Sequence, residues 1–326
     1  MFQIFLGVPY EVAVGITLLV VVLYTSIGGF VSVVRTDAIQ GVLMLIGAMT
    51  IFYFVTKAAG GITSVGQLTD MPGKEYLFDL NGAVPFAVLL GVSLSGALKL
   101  IVDPRQLSRF YGLKSDAEVK RGMWIAVLGM TLILACMFPI GLYAHLIFEN
   151  VTDTDLIIPQ LVNDPVIFPF WVTDLLIVSI VSAAMSSMDS VLLVASSTLY
   201  KNIISPFKTI QNEVRWSRAA VIAFACISAF MALNPPGDIV SITIFSGSLY
   251  TVCFFPPVVF GLYGRVASAN TTLVSMTLGM STLVLWITLG QSALLHEVFP
   301  ALLVSASVYW LQSVSYTHLT LPTNGC

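Results

Sequence analysis

Charge is what this chain most lacks. Of its 326 residues only 10% are Asp, Glu, Lys or Arg, against 57% apolar, whereas an ordinary soluble domain carries about 25% charged residues. So few charges cannot clothe a water-facing surface, and a soluble globule is excluded. Cysteine is scarce too. Cys136, Cys226, Cys253 and Cys326 stand at no metal-ligand spacing, and the first three lie in apolar runs where a thiol packs as a small hydrophobe. Neither disulfides nor a metal centre is expected. The net charge of −3 gives no basic surface for nucleic acid. No signal peptide is evident, because the chain enters an apolar run almost at once without a basic leader, and Met1 is not expected to be the native start.

What is abundant is long apolar sequence. A bilayer-crossing helix needs roughly 20 mostly apolar residues, and nine such stretches are predicted, over 10–34, 37–58, 83–103, 121–147, 168–200, 216–234, 239–263, 268–290 and 294–312. The expected class is an all-α, multi-pass protein of the cell membrane. Basic residues alternate with the connections, as the cytoplasmic bias of Lys and Arg requires. Arg35 falls in the first connection, Arg105, Arg109, Lys114, Lys120 and Arg121 in the third, Lys201, Lys208, Arg215 and Arg218 in the fifth, and Arg265 in the seventh. The opposite side has only Lys57 and Lys74 and is rich in acids such as Glu149, Asp153, Asp155 and Asp164. The first predicted span therefore starts outside. Trp124, Trp171, Trp216, Trp286 and Trp310 all fall near span ends, where an amphipathic indole suits the headgroup layer, although ordinary packing accounts for any one of them equally well.

The last stretch reads differently. Val314-Ser-Tyr-Thr-His-Leu-Thr-Leu-Pro-Thr323 has the look of a translated sequencing-library adapter, so 313–326 is expected to be non-native and 1–312 to form the membrane domain.

Three clusters place polar groups inside or beside the spans, where a buried charge is costly unless paired or hydrated. In the fifth span, Ser182, Ser186 and Ser190 are four apart and Asp189 is three from Ser186, so hydroxyls and a carboxylate share a face beside Ala183 and Ser187. Such a face supplies oxygens to a weakly hydrated monovalent cation. Equally, small hydroxyl residues let membrane helices pack closely. Around the first connection, Tyr24-Thr-Ser-Ile-Gly-Gly29 precedes Arg35-Thr-Asp-Ala-Ile-Gln40. Asp37 there is placed either to guide a cation or to cap the second helix while pairing with Arg35. In the third span, Gly91, Ser93, Ser95 and Gly96 weaken the helix near mid-membrane, as in a discontinuous substrate-binding helix, and Pro104 ends or kinks it. Lys99 either snorkels to the cytoplasmic edge or faces a wet cavity and an anionic solute.

At these clusters the chain resembles the sodium/solute symporter family. The matching strings are the two around the first connection, Asp103-Pro-Arg-Gln-Leu-Ser-Arg-Phe-Tyr-Gly-Leu-Lys-Ser115, and Ala183-Ala-Met-Ser-Ser-Met-Asp-Ser-Val-Leu-Leu-Val-Ala-Ser-Ser197, in the family's order across essentially 1–312. The resemblance implies a LeuT-like five-plus-five inverted repeat, with the first two spans closing repeat one, the next five forming repeat two and the last two peripheral. It also implies that the first helices of repeat one are missing from an N-terminally truncated fragment. Among them is the broken helix that gives backbone carbonyls to the sodium site. Ser186 and Ser187 match paired sodium-ligating hydroxyls, Ala183 a carbonyl ligand, and Asp37 an acid on the sodium exit route, with Asp189 in support. Ser95, Gly96, Lys99 and Pro104 mark the substrate or gate region.

The implied function is Na⁺-coupled symport of a small organic solute by alternating access, without covalent chemistry and with Na⁺ as coupling ion in place of a cofactor. The sugar pattern expects a lysine in the fourth span and an asparagine and tyrosine in the third, where this chain has Met130, Gly96 and Lys99, so an amino acid or small carboxylate is favoured over a hexose. The expected partners are that solute, Na⁺ and the bilayer, with no nucleic acid and no obligate protein. The alternative is a symporter-like sensor domain of a histidine kinase. An intramembrane enzyme is disfavoured: of the imaginable catalytic pairs, Asp37 and Asp103 are both predicted at cytoplasmic helix ends, while His145 at the external end of its span is out of hydrogen-bond reach of Ser186 in mid-helix.

Overall fold

The computed structural model describes residues 7–79, 82, 84–110, 112–148, 154–207 and 212–320, all helix and loop with no strand among them. Tyr111, Glu149, Asp153, Lys208 and Cys326, named above, lie outside the described residues. The membrane helices are α1 (Tyr10–Ser26) and α2 (Ser32–Ala58), α3 (Phe86–Val102) with the short α4 (Pro104–Phe110), and α5 (Asp116–Ile147). After the short α6 (Ile157–Val162) come α7 (Phe170–Thr198), α8 (Glu213–Leu233), α9 (Ile239–Leu262), α10 (Ala269–Thr288) and α11 (Val298–Thr320). Among the described residues, seven helices are long and apolar enough to cross a bilayer. With two shorter apolar helices, Tyr10–Ser26 and Val298–Ser313, they account for the nine predicted spans. Phe138, Phe230 and Leu303 are 70–75% exposed, which in a bilayer is contact with acyl chains rather than a liability.

The helices form two compact units, one of α1, α2, α5, α6, α7 and α8, the other of α3, α4, α9, α10 and α11. In the first, α1 and α2 make one helical run interrupted at Gly29, where φ is +62° and ψ −177°. That left-handed φ costs little only at glycine. The sequence reading put the turn at Arg35; instead Arg35 and Asp37 are helical, in the first turns of α2. Helix α5 starts five residues before its predicted edge because the N-cap Ser115 accepts from the Glu118 amide at 3.3 Å, while the Glu118 carboxylate accepts from the amide of the preceding Lys114 at 3.0 Å. Helix α2 lies close against α7 at Gly47, where an added Cβ would come within 2.5 Å of Ser179 Cβ. Ile51, Val55, Ile140, Tyr143, Phe168, Val172 and Leu176 close this unit's apolar core.

The second unit is joined by hydroxyls, as expected where lipid removes the hydrophobic drive between helices. Thr251 donates to the Ser95 carbonyl at 2.9 Å, tying α9 to α3. Ser275 donates to the Ser305 carbonyl, and Ser305 to the Val252 carbonyl, each at 2.8 Å, tying α10, α11 and α9. The expected weakness of the third span at mid-membrane is not observed: α3 runs unbroken through Gly91 and Gly96 and ends at Asp103. There Pro104 occupies the first position of α4, where its missing N–H costs nothing, and Asp103 accepts from the Arg105 amide at 2.9 Å.

Candidate functional site

In the first unit the polar face of α7 meets α2. Ser186 Oγ donates to Asp37 Oδ1 at 2.6 Å, across 149 residues of sequence. Ser190 Oγ donates to the Ser186 carbonyl at 2.8 Å, and the Ser190 amide to Asp189 Oδ1 at 2.7 Å. Asp189 is only 1% exposed, and Ser182 and Ser190 are buried with it. Tyr24 of α1 hydrogen-bonds Thr36 across the Gly29 break and lies within electrostatic reach of both Asp37 and Asp189. Asp37 is thus no N-cap: it lies inside α2 and reaches to the neighbouring helix.

The two adjacent serines diverge. Ser186 turns to Asp37, whereas Ser187, about 100° further round α7, is exposed on its helix and lines a cavity of about 570 Å³. Val181, Ala184 and Met188 of α7, Thr17 and Val21 of α1, and Ser228 of α8 share that cavity. Ala183 is half-buried between these faces. Hydroxyl and carboxylate oxygens gathered at lipid depth can exchange a cation's water shell for protein ligands, and neutral hydroxyls do so without adding charge. The disfavoured enzyme pair is not formed either: Ser186 bonds Asp37, while His145 Nδ1 lies 2.9 Å from Lys74 Nζ.

In the second unit, Ser95 is buried and its Oγ donates to the Val92 carbonyl at 2.8 Å. Gly96 is exposed, and a Cβ there would meet nothing within 4 Å. Lys99 turns to α9: its Nζ donates to Ser246 Oγ at 3.2 Å and lies 5.4 Å from the Tyr250 ring centroid. Of the two readings left open for this lysine, snorkelling is the one the contacts disfavour. Asp103, fully buried, is held by Arg105 through Nε at 3.0 Å to both carboxylate oxygens and Nη2 at 2.5 Å.

Several of these groups escaped sequence reasoning. Ser246 and Tyr250 are one turn apart in an apolar helix, a visible signal, but nothing in spacing links them to a lysine about 150 residues away. His296 and Glu297 fall at the start of the last predicted span, 294–312, where no pattern singles them out, yet both are buried, with Glu297 accepting from Ser248 Oγ at 3.2 Å.

A multi-pass helical membrane protein with a hydroxyl-and-carboxylate face at bilayer depth is the class that fold and site define. The profile of the Sodium:solute symporter family matches residues 1–279, and the chain belongs to that family. It is 29% identical over 305 residues to the sodium/pantothenate symporter of Haemophilus influenzae, covering 91% of this chain and 63% of that protein. To an osmoregulated proline transporter of Bacillus subtilis it is 26% identical, covering 94% of this chain and 63% of the relative. The chain therefore spans somewhat under two thirds of the length of these relatives. A solved structure of a substrate-bound, outward-open Na⁺-coupled sialic acid symporter superposes with a TM-score of 0.77 over 95% of this chain and 68% of its own, at 19% identity, and fixes the LeuT-like fold. Together with its apolar helices, these relationships make the chain a multi-pass plasma-membrane protein.

Proposed function

We propose that the full-length protein is a Na⁺-coupled symporter of a small organic solute, and that α7 carries its cation ligands. The observation that carries this reading is the 2.6 Å hydrogen bond from Ser186 to Asp37, which brings a carboxylate of α2 onto the hydroxyl face of α7. In this reading Ser187 and Ser186 give hydroxyl oxygens and Ala183 a carbonyl, Asp37 receives the ion as it leaves toward the cytoplasm, and Asp189 supplies background negative potential. Na⁺ entering from outside lowers the cost of holding these oxygens together and so favours the state that binds solute. Each Na⁺ carried inward releases about 2.3 kcal/mol per 100 mV of membrane potential. At about 1.4 kcal/mol per tenfold, that alone supports roughly fiftyfold accumulation of solute.

The named relatives carry proline or pantothenate, which favours an amino acid or small carboxylate, as do Pro104 and the non-sugar residues Met130 and Gly96. The relatives are transporters, which gives the sensor alternative no support and agrees with a non-enzymatic protein. In proteoliposomes holding the full-length protein, Ser187→Ala is expected to raise the sodium concentration for half-maximal uptake at least tenfold, with unchanged membrane insertion. Sodium dependence equal to wild type would remove α7 from the mechanism.

A further inference from the structure

Lys99 presents an unusual charge problem. It lies in the apolar span Phe86–Phe110, where an ammonium is costly unless it is paired or hydrated. It nonetheless points inward, to Ser246 and the face of Tyr250 on α9. Among the described residues it has no carboxylate within 4 Å. The nearest acid along α3, Asp103, is already engaged by the Arg105 guanidinium through both oxygens and by its amide. Asp103 and Arg105 cancel, and the positive charge of Lys99 is left over.

Donor accounting points the same way. An ammonium carries three N–H donors; Ser246 Oγ takes one, and a ring face takes none in the sense of a lone pair. Two donors are without an acceptor among the described residues. One helical turn back on α3 is Gly96, which is exposed and where an added Cβ would meet nothing within 4 Å. Tyr250 flanks the charge with an aromatic surface that tolerates both a cation and an apolar group.

We propose that Lys99, Ser246 and Tyr250 form the subsite that holds the carboxylate of the transported solute, with Gly96 leaving room for the body of the molecule. This rests on the symport reading for the word transported, but not for the binding itself. The ammonium gives the carboxylate two charge-assisted hydrogen bonds, the Ser246 hydroxyl orients the ammonium, and the Tyr250 ring packs against the solute's carbon skeleton. The ligand class is a small monocarboxylate, free amino acids included. An amide or alcohol of the same shape offers no charge to balance Lys99 and is rejected.

The test is thermal unfolding of the purified full-length protein in detergent, with and without 100 mM NaCl. The probes are propionate, lactate, L-alanine and L-proline, each beside its matching amide. The expected result is that at least one free acid raises the midpoint by several degrees and its amide does not. That shift disappears in Lys99→Met, persists reduced in Lys99→Arg, and weakens in Ser246→Ala. Methionine is at home in a membrane span, and the ligand-free midpoint of each variant reports its folding. The proposal is overturned if no acid outperforms its amide, or if the acid's shift survives in Lys99→Met. An acid-specific shift that needs Lys99 but is indifferent to NaCl would keep the subsite and sink sodium coupling. The two readings therefore fail separately.

Discussion

In the α1, α2 and α7 unit the carboxylates Asp37 and Asp189 are met by the hydroxyls of Ser186 and Tyr24 and by the Ser190 backbone amide. In the α3 and α9 unit the acid Asp103 is neutralised by Arg105, and among the described residues Lys99 is answered by a hydroxyl and a ring. The same family of neutral oxygens thus accompanies negative charge where α7 meets α2, and positive charge at Lys99, although the second unit also holds the buried Glu297 on a serine hydroxyl. Serine and threonine set the geometry in both, and the sign of the leftover charge decides whether a cation or an anion is attracted.

The strongest blow to this contrast is Asp103→Asn. It leaves the Arg105 guanidinium, three-quarters buried, beside Lys99 without its counter-charge. Breaking a buried pair in this way is expected to cost about 3 kcal/mol, read as a lower unfolding midpoint in detergent. Recovery of much of that loss by adding Arg105→Gln would show that charge balance, rather than the cap on α4, is responsible. Asp103→Asn at wild-type stability would break the claim that Asp103 is already spent on Arg105.

How much of this was legible beforehand follows from the range of each interaction. The nine spans and the α7 hydroxyl face were readable because apolar length and helical spacing are local properties. The α1 to α2 break was misplaced because Arg35-Thr36-Asp37 has the composition of a loop, whereas the turn is made where glycine alone accepts φ of +62°, at Gly29. Asp37 looked like a cap because its partner, Ser186, lies in another helix. Lys99 was left between two readings for the same reason: Ser246 and Tyr250 come from α9, and sequence period carries no information on which helices touch. Gly91 and Gly96 suggested a broken helix, but each is a single substitution of modest cost in a span otherwise built of good helix formers, and α3 stays intact.

A smaller effect is expected in the first unit from Gly47→Val, which forces α2 and α7 apart at Ser179. Overpacking of this kind costs about 2 kcal/mol, and because Asp37 and Ser186 join the same two helices, the variant should also weaken sodium-dependent stabilisation. Ser186→Ala removes one hydrogen bond to a charged acceptor and is expected to cost about 1.5 kcal/mol, with no effect on the acid-over-amide preference assigned to Lys99. Loss of that preference in Ser186→Ala would merge the two sites into one. Least of all, Thr251→Val, which deletes a single neutral hydrogen bond between α9 and α3, should lower stability by about 0.6 kcal/mol, the usual size of such a bond between membrane helices.

The most direct measurement is equilibrium binding of ²²Na⁺ to the purified full-length protein in the absence of solute, compared between wild type, Ser187→Ala and Lys99→Met. The account predicts that half-saturation rises at least tenfold in Ser187→Ala and moves by less than about twofold in Lys99→Met, tenfold corresponding to about 1.4 kcal/mol of lost ion binding. Equal affinity in Ser187→Ala and wild type would contradict it, because the Ser187 hydroxyl assigned to the ion would then contribute nothing to holding it.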